Sequence, residues 1–203
     1  MKTKLLVVLF ASLIASGAVA AESPRVGTAA PDFSLVDAKG GSHSLADYKG
    51  KFVVLEWFNP ECPFVKKHYA SGNMQKLQQE YADKGVVWLS IDSSAPGKEG
   101  HLTGETAAKT TSEWNMKSTT LLFDEEGKVG KTYGAKNTPH MFVINPEGKL
   151  IYEGAIDNKP TTSPSDIAGA TNYVKVALEE ALSGKPASNP TTKPYGCSVK
   201  YSD

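Results

Sequence analysis

The sequence predicts an α/β domain built on a central mixed β-sheet flanked by helices. Three observations carry this. Residues 52–58 (FVVLEWF) are a nearly continuous apolar run of strand-forming types, interrupted only by Glu56, as expected of a strand covered on both faces. Residues 63–83 follow with helical spacing through Phe64, His68, Met74, Leu77 and Tyr81, and residues 86–91 (VVWLSI) form a second apolar run. Strand, helix, strand in that order implies a parallel, right-handed crossover. Finally, residues 141–144 and 150–152 flank Asn145-Pro146-Glu147-Gly148, which reads as an antiparallel hairpin and makes the sheet mixed.

The remaining elements follow in order. Residues 26–36 (VGTAAPDFSLV) start with a stretch interrupted by proline and read as a short strand, broken by the turn residues 38–41. Residues 44–48 read as a helical turn before Gly50. Residues 93–104 form a Gly/Ser-containing loop, 106–114 a helix, 121–123 a short strand and 127–133 a helical turn. A last helix is expected over 165–182, stopped by Gly184 with Pro186 beyond it. Trp57, Trp88 and Trp114 are expected in the core.

Residues 1–20 carry Lys2 and Lys4, an apolar run over 5–15 and the small residues Ala18-Val19-Ala20, the pattern of a secretory signal peptide cut after Ala20. Its apolar run is too short for a stable membrane span, and no later stretch approaches one, so no membrane insertion is expected after cleavage. The mature chain is expected to be periplasmic or secreted, with one domain over residues 21–185 and a Pro-, Ser- and Thr-rich tail over 186–203. The whole chain has 22 basic and 22 acidic residues, and the signal segment holds two lysines and no acid. That near-neutral balance gives no electrostatic case for a nucleic-acid partner.

The chain has two cysteines, Cys62 and Cys197. In an oxidising compartment they form either a structural staple or a redox pair. Cys62 lies where the buried strand gives way to the long helix, whose first residue is Pro63, a favoured first-turn type. Its sulfur then sits at the positive end of the helix dipole near unpaired N–H groups, which favours the thiolate and makes it nucleophilic.

The segments APDFSL, GKFVVLEWFNPECPFVKK and NTPHMFVINPEGKLIYEG, with the order of elements around them, resemble the thioredoxin-like superfamily over residues 26–158. Within it the chain is similar to the redoxin family of alkyl hydroperoxide reductases and thiol-specific antioxidants, the peroxiredoxin-like family, in an exported form. The resemblance implies a thioredoxin-like fold and a thiol-dependent oxidoreductase with Cys62 as nucleophile. Thioredoxins carry Cys-x-x-Cys at the helix head; here Cys62-Pro63-Phe64-Val65 puts Val65 at the second position. Peroxiredoxins precede their reactive cysteine with a Pro-x-x-x-Thr-x-x pattern supported by arginine. Here Leu55 and Asn59 hold those places, and Arg25 is the sole arginine. The chain is closer to a subgroup with one cysteine in a Cys-Pro-aromatic-Val-Lys context and a Gly-Cys-Ser-hydrophobic-Lys ending, here residues 195–201 (YGCSVKY).

The resemblance further implies a cis bond between Thr138 and Pro139 beside the active sulfur, with the Thr138 backbone offered to an extended substrate segment; an ordinary trans proline at a strand start is the alternative. It implies that Glu56 is a buried carboxylate able to move protons during exchange, against the alternative that strand alternation points it to solvent. Cys197 is the candidate resolving thiol. An extended tail eleven residues past Pro186 reaches roughly 34 Å, enough to cross much of such a domain. A permanent disulfide pinning the tail is the alternative. His140 with both cysteines would be a soft-metal site; packing is the plainer reading of that histidine. His43, His68 and His101 show no ligand spacing. No Gly-rich dinucleotide turn is present, so no cofactor is expected and electrons are expected from another exported thiol protein. Rival readings are a hydroperoxide reductase using the same thiols, and a metallochaperone or disulfide-stapled binding module.

Overall fold

The structure is a computed structural model and describes residues 23–202; the signal segment expected over residues 1–20 lies outside the described residues. In chain order the elements are β1 (Ser34–Asp37), β2 (Ser42–Ser44), a 3-10 turn (Leu45–Tyr48), β3 (Val53–Trp57), α1 (Pro63–Ala70), α2 (Asn73–Ala82) and β4 (Val87–Asp92). There follow α3 (Gly104–Glu113), β5 (Thr120–Phe123), α4 (Lys128–Tyr133), β6 (Asn137–Thr138), β7 (His140–Ile144), β8 (Leu150–Gly154), a second 3-10 turn (Pro164–Gly169), α5 (Tyr173–Leu182) and β9 (Cys197–Ser198).

Seven strands form one sheet in the order β2-β1-β5-β4-β3-β7-β8. β3 pairs parallel with β4 and antiparallel with β7, and β4 pairs parallel with β5, so the sheet is mixed as expected. Every residue of β3 is buried, because its side chains alternate between two cores. Val53, Leu55 and Trp57 enter a cluster with Phe33, Leu89, Tyr133 and Phe142. Val54 and Phe58 enter the opposite cluster, with Val65 and Tyr69 of α1, Met74, Leu77 and Tyr81 of α2, and Val174 and Leu178 of α5. Burying side chains of this size contributes roughly 1.5–3 kcal/mol each, which makes this sheet the rigid base beneath the helix head.

Three expectations need correction. Residues 63–83 are not one helix: Gly72 has φ +73°, a left-handed conformation that ends α1 and opens α2, so the apolar periodicity continues across a break. Residues 165–182 likewise divide into a 3-10 turn and α5, whose N-cap is the Asn172 side chain accepting from Lys175 N at 2.9 Å. Residues 42–44 form a strand that was not expected, since Ser42-His43-Ser44 has no apolar alternation; it is an edge strand paired to β1, held by His43 bonding Asp37 and Tyr48. Trp57 and Trp88 lie in the core, whereas Trp114 is only half-buried against Phe58 and Tyr69.

Residues 186–202 return along the domain surface rather than leaving it. Thr192 N donates to Glu153 O and Glu153 N to Pro190 O, which lays the chain along β8. Gly154 makes room for this: a Cβ there would lie 2.3 Å from Thr192 O. Farther on, β9 pairs antiparallel with β6, with Cys197 opposite Thr138.

Candidate active site

Cys62 is the N-cap of α1, with Pro63 at the first helical position. Its side chain has no solvent exposure. The sulfur lies 3.0 Å from Thr138 O, to which the thiol form donates. The peptide bond from Thr138 to Pro139 is cis. It brings the start of β7 against the head of α1, and the residue before it, Thr138, carries β9 and therefore Cys197.

The structure holds both cysteines as free thiols, with Cys197 paired opposite the residue whose carbonyl faces the Cys62 sulfur. Their acidities move apart. Burial alone would raise Cys62, but it is outweighed by the neighbouring Cys197 thiol and by the backbone N–H groups of Cys197 and Val65, so Cys62 is held below its ordinary value. The Thr138 hydroxyl is buried beside it and has no hydrogen-bond partner among the described residues. Cys197 is pushed up to about 12, first by burial and then by the neighbouring Cys62 sulfur. Of the two thiols, Cys62 is therefore the one that gives up its proton more readily.

Glu56 is fully buried, which removes the solvent-facing alternative: alternation sends it to the same side as Val54 and Phe58, under α1 and α2. It accepts from Trp88 Nε1 at 2.8 Å, Tyr69 Oη at 3.0 Å, Gln78 Nε2 at 3.2 Å and Ser90 Oγ at 3.2 Å. Burial raises its pKa to about 7 against the lowering effect of these four donors. Because this folded value lies above the ordinary 4.5, Glu56 contributes stability that is present below about pH 4.5 and lost as pH rises through about 7. The linked free energy is about 3 kcal/mol. Buried His68 and His140, lowered by burial to about 4 and about 3, act oppositely: their contribution is present above pH 6.5 and lost as pH falls toward those values. The wild-type curve therefore mixes both signs. The difference in unfolding free energy between wild type and Glu56→Gln, measured by denaturant titration from pH 5 to 8, should carry the Glu56 slope alone; parallel curves would show that Glu56 does not titrate there.

His140 does not join the cysteines. Its ring packs on Phe142 with centroids 4.5 Å apart, and its Nδ1 accepts from Lys136 N at 3.2 Å. No group of three His, Cys, Asp or Glu side chains among the described residues is placed to hold a metal ion.

Sequence reasoning missed a buried polar cluster beside the site, and only the helical phase of His68 hinted at it. Lys67 and His68 on α1 are both buried, as is Asp157 after β8. Lys67 Nζ donates to Lys159 O at 2.7 Å and pairs with Asp157 Oδ2 at 3.7 Å. Tyr195, two residues before Cys197, donates to Asp157 Oδ1 at 2.5 Å.

A thiol capping a helix, facing the residue before a cis-proline on a mixed sheet, defines a thiol redox protein of thioredoxin-like fold. The AhpC/TSA family model matches residues 26–153, and the chain belongs to that family. It is 29% identical over 162 residues to the thiol-disulfide oxidoreductase ResA of Bacillus cereus, covering 75% of this chain and 88% of that protein. Among solved structures it resembles an uncharacterized conserved protein from Geobacillus kaustophilus, with TM-score 0.74, 27% identity and coverage of 88% of this chain and 93% of that one. It also resembles a putative thiol:disulfide interchange protein DsbE from Chlorobium tepidum, with TM-score 0.53, 26% identity and coverage of 64% and 85%. The chain is an oxidoreductase of the thiol–disulfide exchange type; these relatives support that chemistry and not the hydroperoxide-reductase or metal-carrier alternatives.

Proposed function

We propose that the protein exchanges disulfides with exported thiol proteins through a Cys62–Cys197 redox pair, after removal of residues 1–20 as a secretory signal. The observation that carries this is the placement of Cys197 opposite Thr138, the residue whose carbonyl oxygen lies 3.0 Å from the Cys62 sulfur at the helix head. The Cys62 thiolate attacks one sulfur of a partner disulfide, forming a mixed disulfide and releasing the other partner sulfur as thiolate. Cys197 then loses its proton and attacks the Cys62 sulfur, closing the Cys62–Cys197 bond and releasing the second partner sulfur. Two electrons pass to the partner, and its two thiolates take up protons. A second exported thiol protein returns the pair to the dithiol.

Thr138 and Pro139 shape the wall against which the reacting sulfur sits, and the Thr138 backbone supports an extended partner segment. Glu56, titrating near neutral pH, manages protons from beneath α1. Among the described residues no helix is long and apolar enough to cross a membrane.

Mass spectrometry after alkylation tests the pair. The reduced protein treated with a molar excess of oxidised glutathione should yield a peptide joining Cys62 to Cys197, and mild reductant should return both cysteines to the alkylated form. Two independent glutathione adducts in place of that joined peptide would overturn the reading.

A further inference from the structure

A nucleophile with no solvent exposure cannot meet a partner protein, and what closes over Cys62 is the chain's own C-terminal strand. Backbone bonds hold this strand from Val199 N to Lys136 O and from Ala95 N to Lys200 O, and the Asn137 side-chain amide donates to Gly196 O at 2.9 Å. Tyr195 adds a side-chain anchor beside the cysteine itself. Its hydroxyl enters a directed chain of half-buried and buried groups that begins with Asn73, whose amide donates to His68 Nδ1 at 2.9 Å. With Nδ1 accepting, the neutral imidazole carries its proton on Nε2 and donates to Tyr195 Oη at 3.3 Å, while Tyr195 donates onward to Asp157. The Tyr195 ring is boxed by Phe64 of α1 at 5.8 Å and by the Lys67 ammonium at 5.7 Å.

Three of these groups, Phe64, Lys67 and His68, lie on the helix that Cys62 caps. Tyr195 is therefore fixed to the same rigid element as the nucleophile, two residues from the thiol that must meet it. The arrangement also tolerates release. When Tyr195 leaves, Asp157 Oδ1 keeps the Lys159 N–H at 2.8 Å and Oδ2 keeps Lys67, so no buried charge is stranded.

We propose that Tyr195 is a positioning residue: held by Asp157 and His68, it latches the C-terminal strand over Cys62, so that the reduced protein rests closed, a partner disulfide reaches Cys62 only after the latch opens, and reclosure delivers Cys197 to the mixed disulfide. The proposal rests on the redox-pair reading and adds to it the residue that governs both access and resolution. It predicts opposite effects on the two chemical steps, which general loosening of the fold does not.

The test uses the reduced full chain and the aromatic disulfide 5,5′-dithiobis(2-nitrobenzoate). Attack by Cys62 releases one thionitrobenzoate, and resolution by Cys197 releases the second. In Tyr195→Phe, which keeps the ring and removes only the hydroxyl, the first release should quicken about tenfold, the scale of one hydrogen bond to a charged group, and the second should slow. Tyr133→Phe, which removes a buried hydroxyl bonded to Pro31 O away from the tail, should match wild type in both phases. Unchanged phases in Tyr195→Phe, slowing of both, or the same pattern in Tyr133→Phe would overturn the latch. Two stable thionitrobenzoate adducts on the wild-type protein, one on each cysteine, would instead sink the redox pair itself and the latch with it.

Discussion

Serine at position 62 should abolish thiol–disulfide exchange, lowering the rate of reduction of a protein disulfide on the order of 10⁴-fold. The hydroxyl cannot form the mixed disulfide, and the remaining thiol is badly placed to substitute. Cys197 is raised by burial before any influence of Cys62, and a thiol near pKa 12 holds only about one thiolate in 10⁵ at pH 7. Losing Cys62 relieves part of that shift and leaves the burial. Cys197→Ser should behave differently: its first attack survives, and a mixed disulfide accumulates on Cys62. Insulin reduction with a dithiol as electron source distinguishes them, and a Cys62→Ser variant retaining a tenth of wild-type activity would contradict the assignment of the nucleophile.

Alanine at position 196 should detach the resolving strand. Gly196 has φ +126°, and a Cβ there would lie 2.1 Å from Thr138 O, a backbone atom that no rotamer change can move. The backbone conformation alone costs a side-chain-bearing residue roughly 1–3 kcal/mol, and the collision adds to it. With β9 lifted from β6, closure of the Cys62–Cys197 bond should slow about a hundredfold, a factor equivalent to roughly 3 kcal/mol. Cys62 should also lose the hydrogen bonds from the Cys197 thiol and N–H, so its pKa should rise toward the ordinary thiol range. The pH dependence of the alkylation rate reports that shift; an unmoved pKa with normal disulfide yield would show that Gly196 does not set the geometry.

The parts of the site legible in the sequence are those fixed by local signals. A strand of apolar residues running into Pro63 placed Cys62 at a helix head, and Thr138-Pro139 before an apolar run marked the facing wall. Glu56 was ambiguous for a physical reason: alternation says that it faces away from Leu55 and Trp57, and in a strand covered on both sides that does not separate solvent from core. The tail was the least legible segment. Its Pro, Ser and Thr content describes a chain with little core of its own, and its order comes from sockets elsewhere. Tyr201, for instance, packs where Gly127 and Gly130 leave no room for a Cβ, and its hydroxyl donates to Ala135 O at 2.8 Å. His68 read correctly as an inward helical position, yet its partners Asp157 and Tyr195 lie far along the chain, where no local pattern connects them.

The pairing of β9 with β6 has a thermodynamic corollary. A bond between Cys62 and Cys197 turns the stretch from the head of α1 to the last strand into one covalent ring, which contains most of the sheet. Closing a ring of over a hundred residues removes enough freedom from the unfolded chain to stabilise the native state by about 5 kcal/mol in the chain-entropy account. Linked equilibria are reciprocal, so the factor by which this bond favours folding is also the factor by which folding favours the bond. A chain that has not yet reached its native form therefore holds the bond weakly, and oxidation of the pair becomes a report that the domain has assembled.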